Sequence, residues 1–267
     1  MTLRRLVRSL WPPLLFGALF LLLWEAVVRI FDIQPFLLAS PSAIGTATAE
    51  RLGDVWDASF ATGTNALAGL IGGVVLGVAM SFVMMRFRVL DELVTPLAVA
   101  LNAIPIIVLV PVFNNMLSAT TEIPRRLMVT LIVFFIVLVN VTKGLRQVSP
   151  IHVELLRSYA ASPSAVLVKA RIPNAVPYLF TALKIAAPLA VITAFVAEYF
   201  GGRQNGLAYS ITSSINGGKD VMWAYVVGAC ALGLLFYLVS VGLESIIRSP
   251  DRVRQEGGTA PGGETSP

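Results

Sequence analysis

The chain has 267 residues, 56% of them hydrophobic and 13% charged, with a mean hydropathy of +0.79. Soluble domains carry about 25% charged residues, so this charge cannot cover a water-soluble globule of the same size, and the uncovered surface calls for lipid. The net charge of +5 reads as Lys and Arg beside membrane spans facing an anionic leaflet, not as a nucleic-acid footprint; one cysteine, Cys230, and one histidine, His152, exclude an internal disulfide and a metal site built from such ligands alone.

Six segments are apolar for long enough to cross a bilayer core as helix, which takes about 20 residues. They lie near 13–31, 61–85, 93–113, 125–145, 176–200 and 222–247. Helix is required because a lipid-exposed backbone must satisfy its own hydrogen bonds, and strand-like alternation is absent. The chain therefore reads as an all-α, polytopic membrane protein with six transmembrane helices. Segment 1–12 precedes the membrane domain 13–248, and the Gly-, Pro-, Thr- and Glu-rich tail 249–267 has the composition of disorder.

The opening "MTLRRLVRSLWPPLLFGALFLLLWEA" has the basic start and apolar run of a signal peptide. No small-x-small cleavage site follows at the right distance, so it counts as the first span. Within it Glu25 and Arg29 stand four apart and pair on one helix face. In the second span, "GGVVLG" suits close helix packing. Pro96, Pro105, Pro111 and Pro188 interrupt helix hydrogen bonds within spans, as hinges or as static kinks.

The basic residues set the orientation. With the N-terminus in the cytoplasm, Arg4, Arg5, Arg8, Arg86, Arg88, Lys143, Arg146, Arg157, Lys169, Arg171, Arg248, Arg252 and Arg254 lie inside. Arg29, Arg51, Arg125, Arg126, Arg203 and Lys219 lie outside, and Lys184 snorkels from the fifth span. That bias of thirteen to six places both termini in the cytoplasm.

Residues 146–175 then form the longest cytoplasmic connection. Ser149-Pro150 and Ser162-Pro163 are each an N-cap followed by proline at the first helical position. They predict two short helices, about 150–159 and 163–171, with the turn at Ala160-Ala161 and the second helix closed by Pro173. Asn174 is placed to cap the next membrane helix. Glu154 and Arg157 are surface neighbours on the first helix, and Val153, Leu156 and Ala160 form an apolar stripe beside them. Such a knob is either a docking surface for another protein or an amphipathic connector lying on the membrane.

Polar residues inside spans are candidates for a solute pathway: Asn65, Asn102, Asn140, Thr193 and Glu198. Each has a plainer alternative. The asparagines suit hydrogen bonds between helices, and Glu198, near the outer end of its span, suits an interfacial carboxylate or a cap for the Gly201-Gly202 turn.

The connection resembles the coupling loop of bacterial ABC importer permeases, whose pattern is E-A-A-x3-G-x9-I-x-L-P. Glu154 falls on the Glu, Leu155 and Leu156 on the two Ala, Ala160 on the Gly, Ala170 on the Ile, Ile172 on the Leu and Pro173 on the Pro. The likeness extends through "LLLWEAVVRIF", "LASPSAI", "NAIPIIVLVPVF", "RIPNAVPYLFTALKIA" and "AEYFGG", over roughly residues 20–247. These phrases are similar to the subfamily that handles nitrate, sulfonates, taurine, and pyrimidine- or riboflavin-like compounds. The resemblance implies a cytoplasmic two-helix coupling loop in which Glu154, Arg157, Ala160, Ser162, Ile172 and Pro173 engage an ATPase. The departure at Ala160 matters, because a left-handed turn at Ala costs on the order of 1 kcal/mol relative to Gly.

No G-x-x-x-x-G-K-[ST] phosphate loop occurs in the chain. The resemblance therefore implies a non-enzymatic subunit in the bacterial inner membrane. Mg-ATP would bind separate cytoplasmic ATPase subunits, an external solute-binding protein would deliver the solute, and a second permease copy would complete the pathway. The competing expectation is an ion-coupled secondary transporter or a channel subunit. A secondary transporter would show broken helices in both halves and usually an internal repeat.

Overall fold

The computed structural model describes residues 3–34, 37–87, 105–118, 120–201, 204–216 and 219–247. Among them every regular element is helical: α1 Leu3–Ile30, α2 Pro41–Glu50, α3 Leu52–Arg86, α4 Ile106–Leu117, α5 Ile123–Arg146, α6 Pro150–Ser158, α7 Pro163–Val166, α8 Ile172–Tyr199, α9 Leu207–Ser213 and α10 Lys219–Ile247. A π-helical turn, Leu167–Arg171, joins α7 to α8. From Pro163 to Tyr199 the chain is thus helical throughout.

Among the described residues, four helices are long and apolar enough to cross a membrane: Leu52–Arg86, Ile123–Arg146, Pro163–Tyr199 and Val221–Ile247. They contain the expected second, fourth, fifth and sixth spans. The expected first span, 13–31, overlaps α1, a helix of 28 residues ending at Ile30 that is not among those four. Most of the expected third span, with Pro96 and Asn102, lies outside the described residues, and its described end is the shorter apolar helix α4. Helix α3 begins well before the apolar run, so Asp54 and Asp57 stand on its first turns.

The chain divides into two compact units, and the division falls inside α3, α5, α8 and α10. The first comprises Met1–Gly69, Ile104–Val129 and Val191–Leu232. Its core includes Val110, Met128 and Ala197, with Leu109 and Phe113 packed against them. Trp24 of α1 meets Trp223 of α10 edge to face at 5.8 Å. Glu25 pairs with Arg29 at 2.6 Å, as the spacing predicts, and its other oxygen accepts from the Ser42 backbone N–H at 3.0 Å, which fixes the start of α2 to α1.

The second unit comprises Leu70–Ala103, Thr130–Ala190 and Gly233–Pro267. Met84, Phe135 and Leu138 form a buried cluster in it. The "GGVVLG" expectation holds here: a Cβ on Gly73 would lie 2.5 Å from Val133 Cβ, and one on Gly77 would lie 2.9 Å from Val137 Cβ. Only glycine lets α3 and α5 approach this closely. Lys184 does not snorkel freely. Its ammonium donates to Glu244 Oε2 at 2.8 Å, a better partner than the interface because both groups are partly withdrawn from solvent.

Candidate functional site

The connection between α5 and α8 is built from local signals. Proline at the first position starts α6 after Ser149, although the Ser149 side chain makes no capping bond. Helix α6 ends in a Schellman arrangement: Ala160 N–H donates to Arg157 O at 2.9 Å and Ala161 N–H to Leu156 O at 3.1 Å. Ala160 has φ +53°, so the turn is left-handed despite the Cβ. Ser162 then caps α7, its Oγ accepting from Ala165 N–H at 3.3 Å.

The second helix of the connection is not closed at Pro173. A proline lacks an N–H but still fits a helix when its φ is helical and the π-turn before it shifts the hydrogen-bond register. Ile172 and Pro173 are therefore half-buried residues in the first turn of α8. Asn174 is not a cap either. Its Nδ2 donates to Gly144 O at 2.7 Å, and Tyr178 O–H donates to Gln147 Oε1 at 2.7 Å. Both bonds tie the first turns of α8 to the end of α5. A Cβ on Gly144 would fall 2.8 Å from Ala175 Cα, so this crossing is tight.

Helix α6 buries none of its nine residues. Glu154 and Arg157 are exposed. Leu156 and Val153 are half-buried, while Ile151, Leu155 and Tyr159 are 72%, 53% and 77% exposed. These three stand four apart and make an outward apolar stripe. The sequence-level stripe through Val153, Leu156 and Ala160 missed them. The i, i+4, i+8 spacing was the signal that would have found them.

A different arrangement lies in the first unit, where α3, α8, the start of α5 and the segment before α9 converge. Glu122 accepts from Asn65 Nδ2 at 2.8 Å, from Arg125 Nη1 at 3.0 Å and from Asn205 Nδ2 at 2.9 Å. Arg125, 1% exposed, also donates to Asn205 Oδ1 at 2.6 Å. Arg126 Nε donates to Asn65 Oδ1 at 3.0 Å. Burial works against the Glu122 charge, but the Asn205 amide, the Arg125 guanidinium and the Asn65 amide together hold its carboxyl below the usual carboxylate range.

Beside this cluster, Glu198 is buried. Its Oε2 accepts from Thr62 Oγ1 at 2.9 Å and from Ala208 N–H at 3.3 Å, while Thr62 Oγ1 accepts from Leu207 N–H at 2.9 Å. Gly206, at φ +91°, packs directly on the Glu198 carboxylate, where any Cβ would collide. The other oxygen, Oε1, is buried without a hydrogen-bond partner among the described residues.

The expected pathway residues thus separate. Asn65 and Glu198 enter buried networks. Asn140 donates to Ile136 O within its own helix, and Thr193 is buried in α8. Asn102 lies outside the described residues. Sequence reasoning missed Thr62, Glu122 and Asn205, because each gains its partner from a segment 57 to 145 positions away.

Residues 73–249 match the family described as "Binding-protein-dependent transport system inner membrane component". The chain is 33% identical over 203 residues to the formylaminopyrimidine transport permease protein ThiX of Halalkalibacterium halodurans, covering 74% of this chain and 78% of that one. It is 26% identical to the riboflavin transport system permease protein RibX of Chloroflexus aurantiacus, over 75% of this chain and 76% of that one. The bicarbonate transport system permease protein CmpB of a Synechocystis species is also 26% identical, over 70% of each chain.

Proposed function

This chain belongs to the family of binding-protein-dependent transport system inner membrane components, and on that premise we propose that it is the membrane-spanning subunit of an ATP-driven importer. A transport permease is a membrane component and not an enzyme, so the energy comes from a partner. Cytoplasmic ATPase subunits carry Mg-ATP, an external binding protein delivers the solute, and two copies of this chain enclose one pathway. Both termini face the cytoplasm. The solute is small and polar. A pyrimidine- or riboflavin-like vitamin precursor leads, with sulfonates and nitrate as the other class.

The observation that carries this reading is the form of α6. A surface helix that buries nothing and turns Ile151, Leu155 and Tyr159 outward beside Glu154 is unfinished without a partner. Its connection to the membrane suits coupling. The chain runs helically from Pro163 to Tyr199, and Asn174 and Tyr178 fasten that helix to the end of α5. A pull on α6 is thereby passed to two long helices as a rigid-body displacement.

The test is uptake into vesicles holding this chain, a copurifying ATPase and a binding protein. ATP-dependent accumulation of an aminopyrimidine or riboflavin is the expected result. Uptake that ignores ATP but collapses with an ionophore would replace the importer with an ion-coupled transporter. ATP-dependent uptake of sulfonate or nitrate alone would correct only the solute.

A further inference from the structure

We propose that residues 204–208 are a latch, held shut by Glu122 and Glu198, that opens and recloses in each uptake cycle. The proposal rests on the transport reading above and adds a moving part to it.

Four observations carry it. First, the segment is gripped at two points by polar groups. Asn205 is held through both sides of its amide, by Arg125 Nη1 at 2.6 Å and Glu122 Oε1 at 2.9 Å. Leu207 and Ala208 are held through their backbone N–H groups by Thr62 and Glu198. Second, the anchors stand on α3, α8, the start of α5 and the residue before it, so these bonds join the segment to other helices, while Gly206 O and Ala208 O bond forward, to Ser210 and Thr212. Third, Gly206 sits between the two grips at φ +91°, a conformation open to glycine, and its missing Cβ is what admits the Glu198 carboxylate. Fourth, Glu198 Oε1 is buried without a hydrogen-bond partner among the described residues.

The chemistry fits a reversible joint. Hydrogen bonds between protein groups exchange for bonds to water with a small net change, whereas a packed apolar joint would lose its whole contact on opening. An unpartnered buried oxygen destabilises the closed form and is relieved once water reaches it. The latch therefore holds by several bonds and carries its own bias toward release. A static brace would more simply pair Oε1 or replace Glu198 by an apolar residue.

Hydrogen exchange at the Leu207 and Ala208 amides in the reconstituted complex tests this. At rest both should be protected. Trapping the complex with ATP and vanadate should speed their exchange at least tenfold. Thr62→Val removes the acceptor for Leu207 N–H and one donor to Glu198, and should speed resting exchange at this segment roughly tenfold, the loss of about one hydrogen bond. Unchanged exchange in a trapped complex that accumulates solute with ATP would sink the latch alone. So would unchanged resting exchange in Thr62→Val. Failure of the wild-type complex to show any ATP-dependent uptake would sink the transport reading, and the latch with it.

Discussion

Helix α6 carries nine residues without burying one of them, whereas Thr62, Asn65, Arg125 and Glu198 are each no more than 5% exposed. Both regions are polar interruptions in an apolar chain, but they meet opposite physical demands. Around Glu122 the charges are withdrawn from water, so leaving a donor or acceptor unmatched within the fold is costly, and Glu198 Oε1 is an exception. On α6 the charges stay hydrated, and the backbone alone closes the helix through its turn at Ala160. A buried polar network resists change in stability. A hydrated surface helix is free to change in stability terms, and under the proposed function what constrains it is the partner it meets.

That contrast fixes the order of expected effects. Glu122→Ala takes an acceptor from the buried Arg125 guanidinium and from the Asn65 and Asn205 amides, and should destabilise the chain by about 3 kcal/mol or more. The thermal midpoint of the detergent-solubilised protein reads it. A loss under about 1 kcal/mol would put the network on the same footing as a surface ion pair and erase the comparison. Gly73→Ala tests a buried contact that has no charge. Its Cβ must displace Val133 or the Thr130 carbonyl, at 2.5 and 2.8 Å, for an expected loss of about 1–3 kcal/mol.

Acid should act through Glu122. The fold holds this carboxyl below its ordinary range, so its ionised form stabilises the protein above the unfolded value of about 4.3. That contribution is lost as the pH falls through the lower folded value. As the pH falls below about 4.3 the wild-type midpoint should fall more steeply than that of Glu122→Gln. Equal slopes would remove Glu122 as the source.

The smallest effect belongs to the knob. Ala160→Gly relieves a left-handed residue and should stabilise the α6 turn by up to about 1 kcal/mol, leaving assembly and uptake at wild-type levels. Slower amide exchange at position 160 and at Ala161 would show it.

The two regions also differed in how far the sequence revealed them. Helix α6, its proline start, the turn at Ala160 and the Ser162 cap follow from neighbours within four or five positions, and all are present. The close approach of α3 and α5 was legible in "GGVVLG" because small residues at four-residue spacing share one helix face. The network was not legible as a network. Glu198 and Asn65 stood out as polar groups in apolar runs, but Glu122, Arg125 and Asn205 looked like ordinary flanking residues until the fold joined them. The same limit explains Lys184, whose partner Glu244 is 60 positions away. It explains Asn174 too, which has a carbonyl of α5 within reach and no free helix end to cap.

The central claim is that α6 is constrained by a partner and not by the fold. Glu154→Lys tests it most directly, by copurification of the ATPase with the full chain and by uptake in reconstituted vesicles. The variant should insert and melt as the wild type does, within about 0.5 kcal/mol for an exposed residue. It should retain little ATPase or hydrolyse ATP without uptake, since a mispaired charge at a desolvated interface costs on the order of 2–5 kcal/mol. Wild-type assembly together with wild-type uptake in Glu154→Lys would contradict the claim and leave α6 a surface connector.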